Sequence, residues 1–161
     1  MKGFLISISV VFFLGYTSYS QSNTKFCSGK GHKGYVFDTS YLVLKSIANQ
    51  ERKIELRCND IVLAEQLLKK NLNSLNERKI NQGEGCPNIQ KKLRKYYRQY
   101  FGFQNRNGER IVWINLFWDK SLIQQAQSEI IMVHDGCSYY WNIEVNLTKG
   151  TLSNLHINGK G

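Results

Sequence analysis

The chain is poor in the residues from which most catalytic and metal centres are built. It has three histidines in 161 residues. No G-x-S-x-G elbow, G-x-x-x-x-G-K-S/T phosphate loop or H-E-x-x-H helix occurs, so the signatures of acyl transfer, nucleotide binding and zinc-dependent hydrolysis are missing. Acidic residues number 12 against 22 lysines and arginines, and none cluster with the spacing of a calcium loop. The cysteines Cys27, Cys58, Cys86 and Cys137 are too far apart for a C-x-x-C metal or thioredoxin-type motif. No apolar run reaches the ~20 residues that a membrane span needs. Hence no metal, no cofactor and no catalytic residue is assigned.

What is present begins with an export signal. Lys2, an apolar run from Phe4 to Leu14 and small residues at Ser18 and Ser20 have the layout of a secretory signal peptide over residues 1–20, cut after Ser20. The context of Cys27 is not that of a lipid-modified cysteine, so a released protein, secreted or periplasmic, is expected, with no transmembrane segment after processing. The formal charge of +10 loses only Lys2 on processing. Such a charge favours anionic partners, whether an acidic protein, a polysaccharide surface or nucleic acid. Four cysteines in an exported chain permit two disulfides in any of three pairings, and a bridge from Cys58 or Cys86 to Cys137 would tie helix to sheet.

Hydrophobic period gives the fold class. Residues 110–118, 129–135, 138–148 and 151–158 read as four consecutive strands, with Asp135-Gly136 and Lys149-Gly150 at turns. In the third, Tyr139, Trp141, Ile143, Val145 and Leu147 alternate with Tyr140, Asn142, Glu144 and Asn146, as in a half-buried strand. A first helix is expected over residues 61–75, capped by Asn59 or Asp60, with Ile61, Ala64, Leu67, Leu68, Leu72 and Leu75 on one side. A second is expected between Pro87 and Gly102, burying Ile89, Leu93, Tyr96 or Tyr97, and Tyr100. Residues 21–34 read as a flexible arm, 35–44 as a strand or helix start, and 53–57 as a short edge strand. The expected architecture is a single α+β domain over residues 35–161, with two helices on one face of a four- to five-stranded, mainly antiparallel meander.

The run Tyr97-Arg98-Gln99-Tyr100-Phe101-Gly102-Phe103, with Asn107-Gly108, Val133-His134-Asp135-Gly136 and the closing Ile157-Asn158-Gly159, resembles small exported proteins of Bacteroidetes-type bacteria. In that group a Tyr-Arg-Gln-Tyr segment, an Asp-Gly-Gly hairpin and an Asn-Gly ending recur. The likeness spans residues 60–161 and implies export and fold but no activity. Cys137 stands where the second hairpin glycine is usual, which leaves room for a disulfide.

Three arrangements carry candidate function. Lys92, Arg94, Lys95 and Arg98 interleave with Tyr96, Tyr97, Tyr100 and Phe101, a composition suited to anionic ligands, for which Lys91, Arg94, Lys95 and Arg98 are the candidate residues; on a helix the aromatics would instead enter the core and leave the charges solvated. His134 and His156 would face each other across strands as the acid and base of a small ribonuclease-like hydrolase. Tyr140 and its neighbours on the polar sheet face would form a platform for sugar or peptide. The first arrangement, in an exported binding protein with an acidic partner, is the reading that the sequence favours.

Overall fold

The structure, a computed structural model, describes residues 24–41 and 50–161. The signal-peptide reading of residues 1–20 and residues 42–44 of the ambiguous segment lie outside them. Seven strands form one sheet among the described residues: β1 Thr24–Gly29, β2 His32–Phe37, β3 Arg52–Lys53, β4 Tyr97–Gln104, β5 Arg110–Phe117, β6 Tyr140–Asn146 and β7 Thr151–Ile157. Their order is β1-β2-β4-β5-β6-β7, with β3 also pairing with β4. All pairings are antiparallel except that of β2 with β4. The α+β, mostly antiparallel class is as expected, but the sheet is larger and the second helix is much shorter.

One long helix, α1 Cys58–Leu75, crosses one face of the sheet over β6 and β7. Ile61, Ala64, Leu68 and Leu72 are the stripe that it buries against Val112, Ile114, Leu116, Trp141, Ile143 and Val145. The helix starts three residues before the expected position because Asp60 acts from inside the first turn, where its carboxylate accepts from Arg57 N at 2.9 Å.

The second expected helix stops early. Only α2 Ile89–Lys92 and a 3-10 turn at Leu93–Lys95 are helical, and the chain is extended from Tyr96 onward. The stripe Ile89, Leu93, Tyr96 holds as far as it goes. Beyond it, β4 is buried on both faces from Arg98 to Phe103, so it shows no alternation, and its tyrosines mimic a helical period.

The cause of the break is Arg98, whose side chain is fully buried. Its Nε donates to Glu65 Oε1 at 2.7 Å, its Nη1 to Tyr96 O at 2.6 Å and its Nη2 to Leu93 O at 3.0 Å. Carbonyls that a continued helix would have used are thus taken by a guanidinium beneath them. Tyr100 OH also donates to Glu65 Oε1, at 2.9 Å, and burial pushes the Tyr100 phenol well above its ordinary pKa, so it stays a donor.

The opposite sheet face is covered by irregular chain. Residues 129–135, expected as a strand, are not one. Their backbone is bound by side chains instead. Ile131 N donates to Gln99 Oε1 at 2.8 Å, and Asn115 Nδ2 donates to Ile131 O at 2.7 Å. Gln99 Nε2 adds bonds to Ala126 O and Glu129 O. Gln99 and Asn115 are cross-strand neighbours on β4 and β5, so two amides satisfy a backbone stretch that would otherwise need a ladder partner. Ile130 and Ile131 then cover Phe101, Phe103, Trp113 and Phe117.

Residues 24–34 are not an arm but β1, its hairpin turn and the first residues of β2. Gly34 admits the parallel approach of β2 to β4, since a Cβ there would overlap the Arg98 carbonyl oxygen. All four cysteines are paired. Cys27–Cys58 joins β1 to the first residue of α1, and Cys86–Cys137 joins the chain before α2 to the turn before β6. Bridges across such loops constrain the unfolded chain by about 4 kcal/mol each in the chain-entropy account.

Removing one member of a buried ion pair strands the other. Urea unfolding should show Arg98→Met and Glu65→Leu each costing about 3–5 kcal/mol, and the double substitution costing less than their sum. Strict additivity would mean that the two side chains do not depend on each other.

Candidate functional site

Three of the four basic residues picked out by sequence, Lys91, Arg94 and Lys95, fall on one groove, of about 700 Å³. Three elements form its walls: the tip of the β1–β2 hairpin, one side of α1 and the stretch from Gln90 to Lys95. Each is placed for a local reason. Gly29 pairs with His32, leaving a two-residue loop that Gly31 closes at φ +90°. On α1, Val62, Glu65, Gln66 and Lys69 recur at helical spacing and so share a face. Asn88 starts α2 by accepting from Lys91 N at 3.0 Å. Buried Ile89 and Tyr96 turn Lys91, Lys92, Arg94 and Lys95 outward.

Arg94 packs against the hairpin. Its side chain lies over the hairpin tip, where a Cβ on Gly31 would stand 3.3 Å from Arg94 Cγ and Nε. Lys30 from the hairpin and Lys69 from α1 join it, so six cations line the groove. None of the six is in an ion pair among the described residues. The only carboxylate in the lining is Glu65, and it is engaged by Arg98 and Tyr100. The groove therefore presents positive charge without compensation from its own walls, and its interaction with an anion is screened only by salt.

Of the four predicted ligand residues, Lys91, Arg94 and Lys95 come together here. Arg98 does not reach the surface; it is the internal partner of Glu65. Sequence reasoning missed Lys30, Lys69 and Glu65. Lys30 and Lys69 carry no local signal, because they are brought in by the hairpin and by the other helix. Glu65 did carry one: it sits in register with Ile61, Ala64, Leu68 and Leu72, and an acid on an apolar stripe needs a buried partner.

The other two arrangements are not assembled. His156 is exposed on β7 and pairs with Asn142, while exposed His134 lies in the loop before β6. They are not strand partners. Tyr140 packs against the buried cluster of Phe117, Ala126 and Ile131 instead of forming an open platform. Among the described residues no group of three or more His, Cys, Asp or Glu is placed to hold a metal ion, and no helix is long and apolar enough to cross a membrane.

The histidine that does line the groove is His32. Its Nε2 is enclosed and has no hydrogen-bond partner. Burial pushes its pKa below the ordinary value; the negative charge of Glu65 opposes that shift and the positive charge of Arg98 reinforces it. At neutral pH the imidazole is uncharged and the groove's charge comes from lysine and arginine. Comparison with protein-family models, curated proteins and solved structures finds no match.

A depressed histidine pKa means that the unfolded chain binds the proton first, so stability is full above the unfolded value of about 6.5 and falls as pH drops below it. Thermal melts from about pH 7 to about pH 5 should therefore show wild type losing more Tm than His32→Gln. Parallel losses would mean that His32 titrates as a free histidine.

Proposed function

We propose that the chain is an exported, non-enzymatic binding protein that holds an acidic partner in the groove between the β1–β2 tip, α1 and α2. The observation that carries this is the convergence of six unpaired cations from three separate elements on one concave surface whose only acid is already neutralised. A basic chain has solvated lysines everywhere, but scattered charge does not collect in a groove. Like charges held close raise the free energy of the folded state, and an anionic partner would relieve that cost.

Export is supported by the signal-peptide layout of residues 1–20 and by the resemblance of residues 60–161 to small exported bacterial proteins. The use of all four cysteines in two disulfides is compatible with an oxidising compartment. Binding is favoured over hydrolysis because the histidines that would serve as acid and base are not the cross-strand pair that this reading needs: His156 pairs with Asn142 and His134 lies in the loop before β6. His32, the histidine at the groove, is held neutral by burial, and the acid that lines the groove with it, Glu65, is engaged by Arg98 and Tyr100.

The test is charge reversal with a matched control. Titration of poly-L-glutamate should show Lys91→Glu/Arg94→Glu/Lys95→Glu losing at least about tenfold in affinity, with a flatter dependence on salt. Reversal of Arg52, Arg78 and Lys120, which lie outside the groove, should cost under about threefold. Equal losses from the two triple variants would show that only net charge matters and would end the groove reading.

A further inference from the structure

Resting on that reading, we infer that the acidic partner is a peptide segment in which glutamate or aspartate residues flank an apolar side chain, and that Val62 and Leu93 receive this side chain. The first observation is what the lining lacks. Among the described residues, no phenylalanine, tyrosine or tryptophan lines the groove. Single-stranded nucleic acid is held by bases stacked on aromatic rings as well as by phosphate contacts; here the rings of Tyr96, Tyr100 and Trp141 are committed to the core. A polyanion bound by its bases or sugar faces would find no platform.

The second observation is what the charged walls enclose. Val62 is 39% exposed on the groove side of α1, and half-buried Leu93 lines the groove from the opposite wall. The methylene stems of the surrounding lysines extend this apolar strip. An anion that is charged throughout would bury these groups against its own hydrated charges. A peptide with an apolar residue between acids would bury carbon on carbon, gaining about 25 cal/mol per Å² of apolar area, while its carboxylates reach the lysines at the rim.

The third observation concerns the cations themselves. Five of the six are lysines, compact point charges on flexible stems that can follow carboxylates placed at irregular intervals. Only Arg94, braced on Gly31, offers the planar fork that takes a carboxylate with two parallel bonds. A volume of about 700 Å³ lies within the about 300–1,000 Å³ that enclose a ligand of several linked groups, not a single ion.

The experiment uses fluorescence anisotropy with the full mature chain. The probes are two labelled peptides of equal length and charge, one with leucines between pairs of glutamates and one with serines in those places, together with a heparin fragment and a single-stranded RNA of matched charge. The leucine peptide should bind about tenfold tighter than the serine peptide, and tighter than heparin or RNA. Val62→Ser, at an exposed position that leaves the melting curve unchanged, should erase the leucine advantage while leaving the serine peptide unaffected. Equal affinity for the two peptides overturns the inference, as does an advantage that survives Val62→Ser. Tighter binding of heparin or RNA, still sensitive to reversal of Lys91, Arg94 and Lys95, overturns the peptide while keeping an anion-binding groove. Binding of every probe that ignores this reversal overturns the groove as well.

Discussion

A guanidinium taken out of water must find an opposite charge for its own and acceptors for its N–H groups, or the fold loses several kcal/mol. Arg98 meets both demands in one place. Glu65 on α1 supplies the charge, while the carbonyls of Leu93 and Tyr96 supply the remaining acceptors. Three parts of the molecule are joined at that point: the long helix, the short helical stretch and the central strand β4. The parallel approach of β2 over the same residue, made possible by Gly34, brings the hairpin in as a fourth.

The groove is a consequence of this arrangement. Because Arg98 satisfies the end of the helical stretch from below, the chain leaves it at Tyr96 and enters the sheet. The stretch is therefore just long enough to bury Ile89 and Tyr96 and to present Lys91, Lys92, Arg94 and Lys95 on its outer side. The same internal pair uses up the only carboxylate beside those lysines. Burying the pair removes one positive and one negative charge together, and the groove's lysines are left with no free acid on their own walls. The Cys27–Cys58 bridge holds β1 to the start of α1, and with it the hairpin that forms the third wall.

What could be read from the chain follows from how local each signal is. Strands β6 and β7 and helix α1 announce themselves through period, β5 through its run rich in β-branched and aromatic residues, and the turns at Asn107-Gly108 and Lys149-Gly150 through their glycines. Strand β4 was hidden because a strand covered on both faces has no alternation, and Leu93, Tyr96 and Tyr100 happen to fit a helix. Residues 130–133 form a continuous apolar run like a buried strand, but the hydrogen bonds of Ile131 go to the side chains of Gln99 and Asn115, which no local pattern reveals. The Gly- and Lys-rich residues 24–34 look mobile until the disulfide and the pairing with β4 are known. Three of the four predicted ligand residues were legible because outward-facing cations follow from the buried stripe between them. Arg98 was not, because its role depends on Glu65, thirty-three positions away in the chain.

The central claim is that Arg98 is an internal strut and not a surface cation, and the exchange of its Nε proton with solvent, followed by NMR, tests it most directly. The account predicts that this proton exchanges as slowly as the backbone amides of β4 and β5, and that Glu65→Gln speeds it while Arg94 Nε–H stays fast in both proteins. Equally fast exchange at Arg98 and Arg94 in the wild type would contradict it, returning Arg98 to the surface and removing the reason for the chain to break at Tyr96.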